Sequence, residues 1–150
     1  MSRIADFLHT SRLFLLGGLA LAQPLAFADE LSTLTVTLKP VRDASGSLRA
    51  GLYREPATFR KEAQAVALAQ VPAAAGEVEL VFRELPPGRY AIMAYHDENG
   101  DGTLNRRFGM FPTEGYGLSN NPQVVGPPAF ADSAFEVAAP ATAIAIELHY

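Results

Sequence analysis

Apolar and polar residues alternate along several short stretches of this chain, and a period of two is typical of half-buried β-strands. Most of the alternating apolar positions hold Val, Ile, Leu or aromatic residues, and Thr occupies several of the polar ones. Little of the chain has a helical period. The pattern predicts strands over residues 34–38, 48–53, 76–82, 89–96, 134–137 and 142–150.

The segments between the early strands carry weaker signals. A turn at 43–46 predicts that the first two strands form a hairpin. Residues 58–63 contain helix formers but are too few for a stable helix, so they predict a helical turn, with Phe59 plugging the edge of the sandwich. Residues 64–71 fit either helix or strand, and their short length weakly favours a strand before Pro72.

The stretch 89–96 is apolar on both faces, which predicts a central strand covered on both sides. It follows a tight corner at 85–88, where the Tyr90 hydroxyl is expected to bond back to nearby backbone. Residues 106–128 have no sustained period, but their aromatic residues predict an ordered loop. Together the elements predict an all-β protein. The expected fold is a single antiparallel β-sandwich of about seven strands, immunoglobulin-like or transthyretin-like, with a long ordered loop after the central strand.

The N-terminus predicts a signal peptide over residues 1–28 and a mature β-sandwich domain over residues 29–150. Residues 13–22 form an apolar run, and Ala26-Phe27-Ala28 fits a small-x-small cleavage pattern. The alternative is a retained membrane anchor, but the run is shorter than the roughly 20 residues that span a bilayer. The expected location is therefore periplasmic or secreted.

Charge and cysteine content narrow the classes of function. Removing Arg3, Arg12 and Asp6 with the leader leaves 10 basic and 15 acidic residues, a balance that argues against nucleic acid or an anionic membrane as the main partner. The chain has no cysteine, which excludes disulfides, thiol catalysis and cysteine metal sites. No later apolar run is long enough to span a membrane. The expected product is a monomer with an envelope protein or a small molecule as partner.

The densest set of oxygen-bearing side chains follows the central strand. Asp97, Asn99, Asp101 and Gly102 match the first half of a calcium loop, in which alternate residues point oxygens at a hard cation. Thr103 would add its carbonyl and Asn105 a side-chain oxygen. Phe108 stands where a closing Glu is expected, so that ligand must come from elsewhere. The spare carboxylates for this role belong to Glu98, Glu114 and Asp132.

A plain polar turn explains the same residues equally well, because Asn-Gly and Asp-Gly are strong turn dipeptides. Calcium therefore remains the one candidate cofactor, and the loop could equally hold no ion. A zinc site needs a histidine spacing that His96 and His149 lack. The basic pair Arg106-Arg107 predicts a salt-bridging rim beside the acidic loop.

No catalytic constellation is evident, which predicts a protein that is not an enzyme. Ser119 lacks a nucleophile elbow. One alternative is a hydrolase that uses His96 with Asp97 or Glu114. Another is a purely structural cell-envelope protein, in which the exposed aromatics Phe108, Phe111 and Tyr116 form a contact patch.

Four stretches in order resemble a family of secreted bacterial domains, domain of unknown function 2141: residues 82–92, 95–105, 112–121 and 127–135. The resemblance implies an exported, mainly Gram-negative protein with no assigned activity. The corner at 85–90 is also similar to that of transthyretin-like and carboxypeptidase-regulatory-like sandwiches, which are often accessory or binding modules. Because residues 114–121 match as a block, we expect them to fold over the Asp97 loop and to make Glu114 the missing ligand.

Overall fold

The computed structural model describes residues 30–123 and 125–150, so the predicted signal peptide lies outside the described residues. The regular secondary structure of the described part is nearly all strand, with one 3₁₀ turn at Glu62–Gln64 and one helical turn, α1, at Phe130–Ser133. The strands are β1 Ser32–Val41, β2 Ser47–Tyr53, β3 Ala67–Pro72, β4 Gly76–Leu85, β5 Gly88–Asp97, β6 Arg106–Arg107, β7 Phe111–Pro112, β8 Tyr116–Leu118, β9 Phe135–Val137 and β10 Ala141–Glu147.

Strands β6 and β7 pair with each other as an antiparallel hairpin, and the other eight strands form two packed sheets. One has the order β10-β1-β4, and the other has the order β3-β2-β5-β8 with β9 also paired to β5. All pairs are antiparallel except β1 with β10, which run parallel. The predicted all-β sandwich is thus confirmed, with the last strand joining the first in parallel.

The core lies between the two sheets and is filled by the inward positions of the alternating strands. Leu34, Val36 and Leu38 of β1 face Leu48, Ala50 and Leu52 of β2, and every one of these side chains is fully buried. Burying a side chain of Leu or Ile size stabilises a fold by about 1.5–3 kcal/mol. In a chain without disulfides, this core is the main stabilising contribution.

The predicted hairpin of the first two strands is wrong. β1 pairs with β4 and β10, whereas β2 pairs with β3 and β5 in the other sheet. The turn after β1 therefore crosses between the sheets. Two alternating strands joined by a short turn have the same pattern whether they pair side by side or face each other across a core.

The other local predictions fare better. Residues 64–71 contain strand β3, as their length indicated. Phe59 follows a turn, as predicted, but it lies on the outer face of the five-stranded sheet, where it packs against Tyr53 and Phe130 rather than at an edge. The Tyr90 hydroxyl donates to the Pro86 carbonyl at 2.7 Å, which confirms the pinned corner.

Strand β5 is the central strand of its sheet, as predicted, because β2 lies on one side and β8 and β9 on the other. Both of its faces are largely buried. Its carboxyl end leads directly into the polar loop. Among the described residues, no helix is long and apolar enough to cross a membrane.

Candidate functional site

The polar loop begins at Asp97, the last residue of β5, which lies opposite Ser47 in the sheet register. Asp97 is buried, and its carboxylate accepts the N–H of Asp101 at 3.1 Å and that of Gly102 at 2.9 Å. Gly46 fits against its carbonyl because a Cβ there would lie only 1.9 Å from the Asp97 oxygen. The start of the loop is thus fixed by the hydrogen bonds to the Asp97 carboxylate and by the packing of Gly46 on the Asp97 carbonyl.

Side chains at alternate positions of the loop accept hydrogen bonds from its backbone, an arrangement that both the calcium loop and the plain polar turn predict. The Asn99 side-chain oxygen accepts the Asp101 N–H at 3.0 Å, and Asp101 Oδ1 accepts the Thr103 N–H at 2.9 Å. Both Asn99 and Asn105 donate their amide groups to Asp101 Oδ2 at 3.0 Å. These bonds, that from Asn105 first, lower the pKa of Asp101 to about 2, so it is ionised at neutral pH.

Gly102 allows the chain to curl at this point. Its φ of +77° lies in the left-handed region, which residues with a Cβ rarely adopt. Its N–H points at the Asp97 carboxylate as a result. The loop therefore closes on its own first residue.

Glu114 braces the two ends of this loop. The residue is buried, and its two carboxylate oxygens accept the N–H of Glu98 at 3.0 Å and that of Asn105 at 2.9 Å. The expectation that the 114–121 block folds over the Asp97 loop is confirmed at this residue. The contact is made through backbone amides that lie nine and sixteen residues away in sequence.

The other two spare carboxylates do not reach the loop interior. Asp132 caps α1 by accepting the Ala129 N–H at 2.8 Å. Glu98 Oε1 lies 3.6 Å from the Arg42 guanidinium. Within residues 30–123 and 125–150, no group of three or more His, Asp or Glu side chains is arranged to hold a metal ion. A cation in the loop would therefore depend on Asp97, Asp101 and neutral oxygens.

His96 is buried in the protein and is fully hydrogen-bonded. Its Nε2 lies 2.7 Å from the Ser45 carbonyl, and its Nδ1 lies 2.9 Å from the Tyr150 hydroxyl. A carbonyl can only accept, so Nε2 donates to Ser45, while Nδ1 pairs with the Tyr150 hydroxyl. With both nitrogens engaged, His96 is not placed to act as a base on an outside substrate.

The remaining candidates for catalysis or zinc binding make structural contacts. His149 is exposed, and its backbone bridges to that of Tyr116 near the chain end. Ser119 is fully buried, where its hydroxyl donates to the Ser133 carbonyl and accepts the Ile92 N–H. These contacts hold β8 and α1 against β5.

The predicted aromatic patch is exposed in part. Phe108 and Phe111 are 83% and 62% exposed, whereas Tyr116 is half-buried in β8. Among the described residues, neither Arg106 nor Arg107 forms an ion pair, so the predicted salt-bridging rim is wrong. Both arginines are exposed and adjoin the aromatic tip in sequence.

Sequence reasoning missed a polar network on the outer face of the five-stranded sheet. Glu62 forms a close ion pair with Arg49 and accepts from the Tyr95 hydroxyl at 2.7 Å. The same hydroxyl lies 3.1 Å from the Gly102 carbonyl, which ties the loop to the sheet. The sequence contained a signal for part of this network, because Arg49, Gly51 and Tyr53 alternate with the core residues of β2 and so lie on its outer face. It contained none for Glu62, which lies in a turn without periodicity.

Fold and site together define a small all-β sandwich module with one elaborated polar loop at the end of its central strand. The family model described as an uncharacterized protein conserved in bacteria, domain of unknown function 2141, matches residues 36–145. The chain therefore belongs to this family, as the resemblance predicted. No curated protein and no solved structure matches the chain.

Proposed function

We propose that this protein is an exported, non-enzymatic β-sandwich module of the cell envelope that binds calcium in the loop 97–105. One observation carries the proposal. Asp97 Oδ1 and Asn99 Oδ1 lie 3.1 and 3.0 Å from the same backbone nitrogen, that of Asp101. Oxygens from alternate residues therefore converge on one side of a tight loop, which is the arrangement that a hard cation requires.

The ligand set fits a weak site. Asp97 and Asp101 supply the negative charge, Asn99 and Asn105 supply amide oxygens, and Thr103 supplies its carbonyl. Glu114 acts as the brace that fixes the span of the loop, because its two oxygens join the N–H groups of Glu98 and Asn105 at the two ends of the loop. A site with two carboxylate charges and bound water is expected to bind calcium as weakly as extracellular modules do, with a dissociation constant of about 10⁻⁴–10⁻³ M.

Two other parts of the proposal, that the protein is exported and that it is not an enzyme, are supported by different observations. The apolar run and the small-x-small pattern before residue 29 favour export. His96 is buried with both nitrogens bonded, and Ser119 is buried among backbone groups. Neither side chain can meet a substrate without local unfolding.

Thermal unfolding tests the calcium site. With a dissociation constant near 1 mM, about 10 mM calcium is expected to raise the Tm by roughly 5 °C over the value in EDTA. The variant Asp101→Asn is expected to lose that rise because it removes one of two charges while keeping the side-chain shape.

Magnesium at the same concentration and the variant Asp132→Asn are the controls. Asp132 lies on α1 and does not contribute to the loop, so its variant should retain the full calcium response. An unchanged Tm of the wild-type protein in calcium would refute the ion site and leave the fold assignment intact.

A second candidate function, contact with a lipid surface, is favoured by the hairpin tip 106–111. Phe108 and Phe111 are exposed, Met110 is 68% exposed, and the unpaired Arg106 and Arg107 lie beside them. Phe108 has a φ of +54°, in the left-handed region that a bulky residue adopts only at a cost. Exposed apolar side chains flanked by arginines complement the acyl boundary and the phosphates of a membrane.

Vesicle binding tests this second function. The chain has no tryptophan, so Phe108→Trp provides a single fluorescent reporter. We expect its emission to shift to the blue with vesicles of phosphatidylcholine and phosphatidylglycerol, and the double variant Phe108→Ala, Phe111→Ala to bind at least about tenfold more weakly. A Val81→Trp variant reports from the exposed face of β4 and should not shift. Equal spectra with and without vesicles for Phe108→Trp would contradict lipid contact.

A further inference from the structure

A cleft of about 400 Å³ lies on the outer face of the five-stranded sheet. Its lining includes Gly51 and Met93, which are directly opposite in the β2–β5 register, and the apolar side chains of Leu68 and Leu104. The space depends on Gly51, since a Cβ there would lie 2.7 Å from the Tyr53 hydroxyl. Its volume is within the range of small-molecule sites.

Tyr53 presents an unpaired hydroxyl to this cleft. The residue is only 2% exposed, and its ring is held edge-on by Phe59 at a centroid distance of 5.5 Å. None of the hydrogen bonds among the described residues involves this hydroxyl, which lies over Gly51 at the wall of the cleft. The hydroxyl opens onto the cleft, so a ligand acceptor that enters the cleft can replace water as its partner. Burial raises the pKa of Tyr53 to about 12, which keeps the hydroxyl a donor at neutral pH.

The charges around the cleft favour an anion. Arg60 and Arg106 line it, and neither forms an ion pair with any described residue. The acidic residue in the lining is Glu62, whose carboxylate already binds Arg49 and the Tyr95 hydroxyl. Two free guanidinium groups therefore face a cleft whose one carboxylate is neutralised.

We propose that this cleft binds a small organic carboxylate with a short apolar chain. The carboxylate accepts the Tyr53 hydroxyl and pairs with Arg60 and Arg106, which match it in charge and hydrogen-bond geometry. The apolar chain packs against Met93, Leu68 and Leu104. The groups that bind the carboxylate, Tyr53 and the two arginines, contribute no oxygens to the calcium loop, although Leu104 of that loop lines the cleft.

Titration with hexanoate, followed by two-dimensional amide NMR in EDTA, tests the proposal. We expect saturable shifts at Gly51, Met93 and their neighbours. Tyr53→Phe is expected to weaken hexanoate binding about tenfold, since it removes one hydrogen bond to a charged acceptor. Its Tm should stay near that of the wild-type protein, because the lost hydroxyl has no partner and the packing on Phe59 is kept.

Hexanamide and two arginine variants separate charge from apolar contact. Hexanamide and Arg60→Ala should each weaken binding, whereas Arg83→Ala, on the exposed face of β4, should bind hexanoate as tightly as the wild-type protein. Absence of saturable shifts with hexanoate, or equal affinity in Tyr53→Phe, would overturn the assignment. Because the titration contains no calcium, its failure would not bear on the loop site.

Discussion

Replacing Asp97 by Ala is expected to lower the free energy of unfolding by about 3 kcal/mol. The carboxylate is buried at the end of the central strand and accepts two backbone N–H groups, those of Asp101 and Gly102. Its removal leaves the Gly102 N–H unpaired and the Asp101 N–H with Asn99 as its one acceptor, and it frees the loop to open. Urea unfolding in EDTA measures the loss of stability, and faster amide exchange at Asp101 and Gly102 would locate it.

Asp101→Ala is the matched control within the same loop. Its carboxylate also accepts several hydrogen bonds, but it is exposed, so water can replace it. We expect a clearly smaller loss of stability than for Asp97→Ala. Similar effects of the two variants would show that the Asp97 carboxylate does not hold the loop closed.

The loop itself was predictable from sequence because its geometry is local. Asx turns and glycines at defined spacings fix the backbone over a few residues, so the inward side chains of Asn99 and Asp101 follow from the pattern. The approach of Glu114 to the loop was also anticipated, through the family resemblance of the 114–121 block, but as the missing ion ligand and not as an acceptor of backbone N–H groups. Spacing alone could not choose it over Glu98 or Asp132, since all three are carboxylates near the loop in sequence.

Long-range pairings were not predictable in this way. The alternation in β1 and β2 defines which face of each strand is buried, but not which strand lies beside it. The contact between His96 and Tyr150 joins residues 54 positions apart, and no local signal marks it. The cleft over Gly51 likewise requires the turn before β3 to fold back over β2, which its composition does not indicate.

The two ends of β5 show how one strand serves both stability and recognition. Its inner residues pack in the core, whereas Met93 and Tyr95 on the outer face line the cleft. Its last two residues, His96 and Asp97, are both buried polar groups that fix neighbouring loops through hydrogen bonds. The polar loop therefore has a rigid base, which lowers the conformational cost of binding an ion there.

His96→Ala is expected to lower the free energy of unfolding by about 3 kcal/mol. The side chain is fully buried, so its removal leaves a cavity and takes away one hydrogen-bond partner each from the Ser45 carbonyl and the Tyr150 hydroxyl. His96→Phe fills the ring volume without either hydrogen bond, and it should recover about half of the loss. Urea unfolding of the three proteins separates packing from hydrogen bonding.

The control for His96→Ala is His149→Ala. His149 is exposed near the chain end, and its backbone rather than its side chain bridges to Tyr116, so no measurable loss of stability is expected. The Arg42 N–H, which donates to the Tyr150 hydroxyl at 2.9 Å, should exchange faster only in the His96 variants. A stable His96→Ala protein with normal exchange at Arg42 would show that His96 is free for another role, and would restore it as a candidate base.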